Sequence, residues 1–281
     1  MSALRGSVGA VLRNPQLTVS LVIIAGCFLA ILGARFITSA NSIAQHVLDR
    51  LQSPSLAHPF GTDQLGRDVL ARVLYGGRAS VPAAIIVVMI GASFGTLVGA
   101  VAGYAGRAVD EIVMRLTDIV LAFPILVLAM ALAAALGASL AHGVVALIVV
   151  WWPQYARVCR GIVLDLRDKD YVTAARAAGR SWPGVLFQVI MPNALPSLMV
   201  MAAVDVGRAI LNFSILSFLG LGAKPPQPEW GSMVSSGAEV MDQWWVATFP
   251  GLAILAIVFG FNLLGDSIRD ALDPWTGNRR S

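Results

Sequence analysis

A membrane-crossing helix needs about 20 consecutive apolar residues, and stretches of that kind recur along this 281-residue chain. Six spans are expected: Leu17 to Thr38, Val81 to Gly103, Thr117 to Leu136, Gly143 to Tyr155, Ala194 to Leu219 and Val246 to Gly265. The fourth is short and can start nearer Leu140. Only 13% of the residues are charged, against about 25% in soluble proteins, and 57% are hydrophobic. A bilayer is therefore the solvent that this chain is written for. The fold class read from the sequence is an all-α polytopic membrane protein with six transmembrane helices. The first span is too long for a signal-peptide core and precedes no small-residue cleavage site, so it is read as an uncleaved anchor.

The net charge of +4 is scattered, which suits membrane orientation better than nucleic-acid binding. With a cytoplasmic N-terminus, Arg35, Arg50, Arg67, Arg72, Arg78 and Lys224 fall outside and Arg208 falls within a span. The other 13 of the 20 basic residues fall inside. Both termini are thus expected in the cytoplasm. The Arg-bearing stretch before the second span is the weak point of this orientation. Cys27 and Cys159 lie in different environments and imply no disulfide framework.

Between the fourth and fifth spans lies a polar-edged block, "DYVTAARAAGRSWPGVLFQVIMPNALP". Tyr171, Ala174, Ala175 and Ala178 recur at helical spacing, and Thr173, Arg176 and Arg180 line another face. Asp168 and Asp170 suit a helix N-terminus, and Gly179 suits a left-handed C-terminal cap. Ser181 and Pro183 suit the start of a second short helix, with Pro192 and Pro196 interrupting it before the fifth span. A stripe of alanines buries little area but admits close approach. A docking element for a cytosolic partner and an interfacial helix resting on lipid both remain open on these residues.

At longer range the residues resemble a known family. Thr173, Ala174 and Ala175, then Gly179, then Val189, Met191 and Pro192 keep the spacing of the cytoplasmic-loop signature in permease subunits of bacterial ABC importers. "HPFGTDQLGRDVLARVLYGGRASV", "SFLGLGAKPPQPEWGSMV" and "GDSIRDALDP" resemble motifs of the dipeptide, oligopeptide and nickel branch. The likeness runs from about His58 to Pro274 and is nearest to the second permease of a dipeptide system. Two departures stand out. Thr173 replaces the usual Glu, and Asn212 stands where related chains often carry an acidic residue.

The resemblance implies a type I importer permease, multi-pass in the bacterial inner membrane and non-catalytic. Residues 1–80 would carry the N-terminal tail, first helix and periplasmic segment, 81–265 the core permease domain, and 266–281 a cytoplasmic tail. A coupling loop at about 157–193 would seat Tyr171, Thr173, Ala174, Ala175, Ala178, Gly179 and Pro192 on an ATPase. The implied partners are a second homologous permease, two ATP-binding subunits, an extracytoplasmic solute-binding protein and the lipid bilayer. ATP and magnesium would sit on those ATP-binding subunits, since this chain has no phosphate-binding P-loop. The implied cargo is a di- or oligopeptide, with nickel or another metal chelate as the alternative.

Other features have structural readings. Gly91, Gly95, Gly99 and Gly103 repeat every four residues and permit close helix packing, within the chain or against the sister permease. Pro124 suggests a bend in the third span. Trp151, Trp152, Trp244 and Trp245 are read as interface anchors. His46, His58 and His142 show no metal-ligand spacing. Asp205 and Arg208, at i and i+3 inside the fifth span, are read as a mutual ion pair with Asn212 one turn on. That pair either lines a translocation path or locks helices. An ion-coupled secondary transporter would use such charges too, but it would not need the docking block.

Overall fold

The computed structural model describes residues 15–272. Among these, every regular element is helical, and one isolated bridge pairs Thr62 with Asp68. The order is α1 (Pro15–Leu32), α2 (Ala34–Ile37), a 3-10 turn (Val47–Asp49), α3 (Val69–Ala105), α4 (Arg107–Leu121), α5 (Ile125–Leu136) and α6 (Leu140–Arg167). There follow α7 (Asp170–Ala177), α8 (Trp182–Val185), a π-helical turn (Leu186–Ile190), α9 (Met191–Phe218), α10 (Trp230–Ala238) and α11 (Trp245–Leu272). Four helical runs are long and apolar enough to cross a membrane, and a bent pair makes a fifth. The expected fourth span lies inside α6, whose 28 residues reach roughly 42 Å at 1.5 Å per residue. Its second half is polar, so α6 is long enough to cross but is not among the runs apolar enough to do so.

Side-chain caps set where the long helices begin. Asp68 accepts a hydrogen bond from the Ala71 N–H at 2.8 Å and starts α3 well before the expected Val81. Ser139 does the same for α6 through the His142 N–H at 3.1 Å. Glu229 is fully buried and caps α10, accepting from the Gly231 and Ser232 N–H groups at 2.9 Å each and from the Ser80 hydroxyl at 2.9 Å. These bonds, with the polarity of the helix N-terminus, stabilise a buried carboxylate that has no cationic partner among the described residues.

The bend expected at Pro124 in the third span is present and sharp: α4 and α5 meet there at an angle of 86°. The amphipathic α4 is tied sideways to α6, where Arg160 forks onto Asp110 at 2.5 and 2.6 Å and Arg157 pairs with Asp118. Contrary to expectation, Pro192 and Pro196 do not interrupt the second short helix before the fifth span. Helix runs on from Trp182 to Phe218, because the π turn just ahead of Pro192 bonds the Met191 N–H to the Leu186 carbonyl and widens the helix there. Trp151 and Trp245 are interior rather than interfacial, donating to Asp205 and to the Thr62 carbonyl, while Trp244 is exposed. His58 faces Asp68 at 2.9 Å.

The glycine stripe on α3 packs against α6 of the same chain. A Cβ on Gly95 would collide with the Trp152 carbonyl and one on Gly99 with the Ala156 carbonyl, so the two backbones touch. Gly95→Leu is expected to separate them at about 1–3 kcal/mol or more. The detergent-solubilised variant should melt several degrees below wild type, whereas Gly161→Leu, where a Cβ meets nothing, should not.

Contacts also sort the two ends of the bundle. The 38–68 segment, the start of α3, α10 and the start of α11 meet at one end, through Trp230 to Val73 and Trp245 to Thr62. The end of α3, α7 and α8 meet at the other. Three of the arginines before the second span find local partners. Arg67 and Arg72 reach the Asp63 carboxylate at 2.7 and 3.4 Å, and Arg78 donates to the Ile31 and Leu32 carbonyls at 3.0 Å each.

Candidate functional site

The block between α6 and α9 folds as a short helix, a tight turn and a second short helix. Asp170 occupies the first turn of α7, where a carboxylate is favoured, and Asp168 instead ends α6. Gly179 has φ +79°, and its N–H reaches the Arg176 carbonyl at 2.9 Å while the Arg180 N–H reaches Ala175 at 3.2 Å. This is the paired bonding of a Schellman cap. Ser181 stands at the N-cap of α8 with Pro183 behind it.

Only Val172 of α7 is buried. Tyr171, Thr173, Ala174, Ala178 and Gly179 are exposed, Ala175 is half-buried, and Pro192 is exposed on the π turn's far side. The face assembled from sequence spacing is therefore open. Arg176 follows Thr173 by one turn. Its guanidinium lies 5.2 Å from the Tyr104 ring centroid and donates to the Tyr104 hydroxyl at 3.3 Å. The same ring packs on Trp182 at 5.1 Å, and Arg167 donates to the Gly103 carbonyl at 3.1 Å. A seat of Val172, Tyr104, Trp182 and Arg176 thus pins the loop to the end of α3. Val172 was detectable as the one branched aliphatic among the alanines. Tyr104 was not, being about 70 residues away in the chain.

Asp205 and Arg208 meet as expected, at 3.4 Å, but unequally. Asp205 is 1% exposed and Arg208 62%. The carboxylate also accepts from the Tyr155 hydroxyl at 2.9 Å and the Trp151 indole N–H at 3.3 Å. Asp205 is therefore a helix-bridging acceptor between α9 and α6 that also borders a cleft. The Arg208 guanidinium emerges into an open cleft of about 810 Å³ lined by α9 and α11, with Val200, Val204, Asp205, Asp266 and Arg269 on its wall. Asn212 turns back on its own helix and donates to the Arg208 carbonyl at 2.8 Å. Tyr155 and Trp151 escaped the sequence reading because their apolar bodies read as span and anchor.

Residues 95–278 match the family described as the binding-protein-dependent transport system inner membrane component. The chain belongs to that family. This permease is similar to the probable D,D-dipeptide transport system permease protein of Escherichia coli (strain K12), 45% identical over 96% of this chain and 91% of that protein. It is also similar to the dipeptide transport system permease protein of Alkalihalophilus pseudofirmus, 41% identical over 93% of this chain and 86% of that one. The glutathione transport system permease protein of Pectobacterium atrosepticum is 43% identical over 80% of this chain and 76% of its own length. The permease is thus a non-catalytic inner-membrane subunit of an ABC importer, a class in which ATP is hydrolysed on separate subunits.

Proposed function

We propose that this permease forms half of the pathway of an ATP-driven importer of di- or oligopeptides, paired with one homologous permease. Two ATP-binding subunits and an extracytoplasmic solute-binding protein complete the assembly. The observation that carries the cargo is the likeness over nearly the whole chain to permeases named for dipeptides, which favours peptides over nickel.

In this reading the α7–α8 loop is the coupling element. It is short, rigidly seated through Val172 and Tyr104, and presents Tyr171, Thr173, Ala174, Ala175, Ala178 and Gly179 outward, with Pro192 behind. Closure of the ATPases would push this seat against the ends of α3 and α6 and tilt them, a rigid-body switch of access. The loop end of the bundle would then face the cytoplasm together with both termini. The alternative, a loop lying on lipid, is less suited to an exposed face that, apart from Tyr171, is alanine, threonine and glycine and carries little apolar area.

The test is reconstitution in liposomes with the sister permease, the ATPases and the binding protein encoded beside this chain. ATP-dependent uptake of a labelled dipeptide is expected from the full set, and none from this chain alone. Uptake by the lone chain, or nickel uptake without peptide uptake by the full set, would overturn the proposal.

A further inference from the structure

Arg208 is built unlike a charge that merely neutralises its neighbour. Its partner Asp205 is already satisfied by two donors of α6, the Tyr155 hydroxyl and the Trp151 indole, both rooted in the packed interior. A guanidinium carries five N–H donors in a fixed fork. Asp205 takes one, through Nη1 at 3.4 Å, and the side chain is otherwise open to the cleft. Val204 packs directly on Gly265, so α9 and α11 form one wall of the cleft with Arg208, Asp266 and Arg269 on it. A wall with two guanidiniums and one exposed carboxylate suits neither lipid tails nor a bare metal cation.

We infer that Arg208, aimed by the buried Asp205, is a station of the path that selects the carboxylate terminus of the cargo. This rests on the peptide-importer reading and goes further, assigning the recognised group and separating the two residues. Arg208 contacts the cargo; Asp205 is a positioning residue that sets its rotamer. A planar fork matches a carboxylate with two parallel hydrogen bonds, which an ammonium or an amide cannot reproduce at that site. The station is transient by design, because the donor already committed to Asp205 leaves the fork only partly available and the cleft is open.

The test uses the full reconstituted importer and two cargoes, a dipeptide with a free C-terminal carboxylate and the same dipeptide as its amide. Each is supplied at a concentration that saturates the binding protein, so that protein's own preference drops out. Wild type is expected to take up the acid faster than the amide. Arg208→Gln should lower acid uptake about tenfold, the size of one lost charge-assisted bond, and leave amide uptake within about twofold. Arg208→Lys should recover part of the preference. Asp205→Asn should narrow the acid-to-amide ratio less than Arg208→Gln does. Copurification of the sister permease and ATPases reports on assembly. Equal loss of both cargoes in Arg208→Gln, or an unchanged ratio, overturns the station while leaving the importer reading intact. Failure of the wild-type assembly to take up either peptide overturns both.

Discussion

Gly179→Arg is expected to abolish coupled uptake while the permease still inserts and pairs with its sister chain. Space is not the reason, since a Cβ at this position meets nothing within contact distance. Two other effects act. The φ of +79° is strained for any residue with a side chain, at about 1–2 kcal/mol, so the turn that aims α7 loosens. The long cationic side chain then projects from the face proposed to enter the ATPase. Because the loop lies at one end of the bundle, the packing of α3 against α6 is untouched. The ATPases should be lost on purification, or retained with hydrolysis no longer tied to uptake. Transport per ATP hydrolysed, measured beside copurification, decides it. Normal values for both would mean that this loop rests on lipid. Thr173→Glu, at an exposed position, should be tolerated if the ATPase cleft offers a basic group.

The Asp205 cluster makes the second large effect. Considered as an isolated ion pair, Asp205 and Arg208 should rescue one another when both become Leu. The structure predicts otherwise. Arg208→Leu leaves Asp205 bonded to Tyr155 and Trp151, so the loss should fall below the roughly 2.5–3.5 kcal/mol of an unpaired mid-membrane charge. Asp205→Leu orphans the Tyr155 hydroxyl and the Trp151 N–H in the packed interior, at about 1–3 kcal/mol each. The double Leu variant keeps that defect and should fold no better than Asp205→Leu alone. Adding Tyr155→Phe, which removes one orphan, should restore part of the yield. Thermal stability of the four solubilised variants checks the order. A double variant as stable as wild type would show that Tyr155 and Trp151 do not depend on the carboxylate.

The glycine stripe shows how far local pattern reaches. Four glycines at every fourth position announce a helix surface that another backbone approaches, since only a missing side chain allows it. Spacing cannot say whose backbone, and the answer, α6 of the same chain, needed the fold. The α7–α8 loop follows the same division. Its helix, its left-handed glycine and the exposed alanines follow from residues within a dozen positions of one another. The seat that holds it, Tyr104 under Arg176 and Trp182, joins the end of one long helix to a loop some 70 residues later.

Period and hydropathy thus settled the all-helical membrane class, and the motif order settled the family, because both are written in near neighbours along the chain. The 86° bend, the helix that continues through Pro192 and the unequal roles of Asp205 and Arg208 were decided by packing. Asp205 illustrates the reason. Three residues along a helix put two charges within reach of each other, and that much is local. Which of them is buried depends on Tyr155 and Trp151 arriving from another helix with donors already aimed, and only the assembled fold places them there.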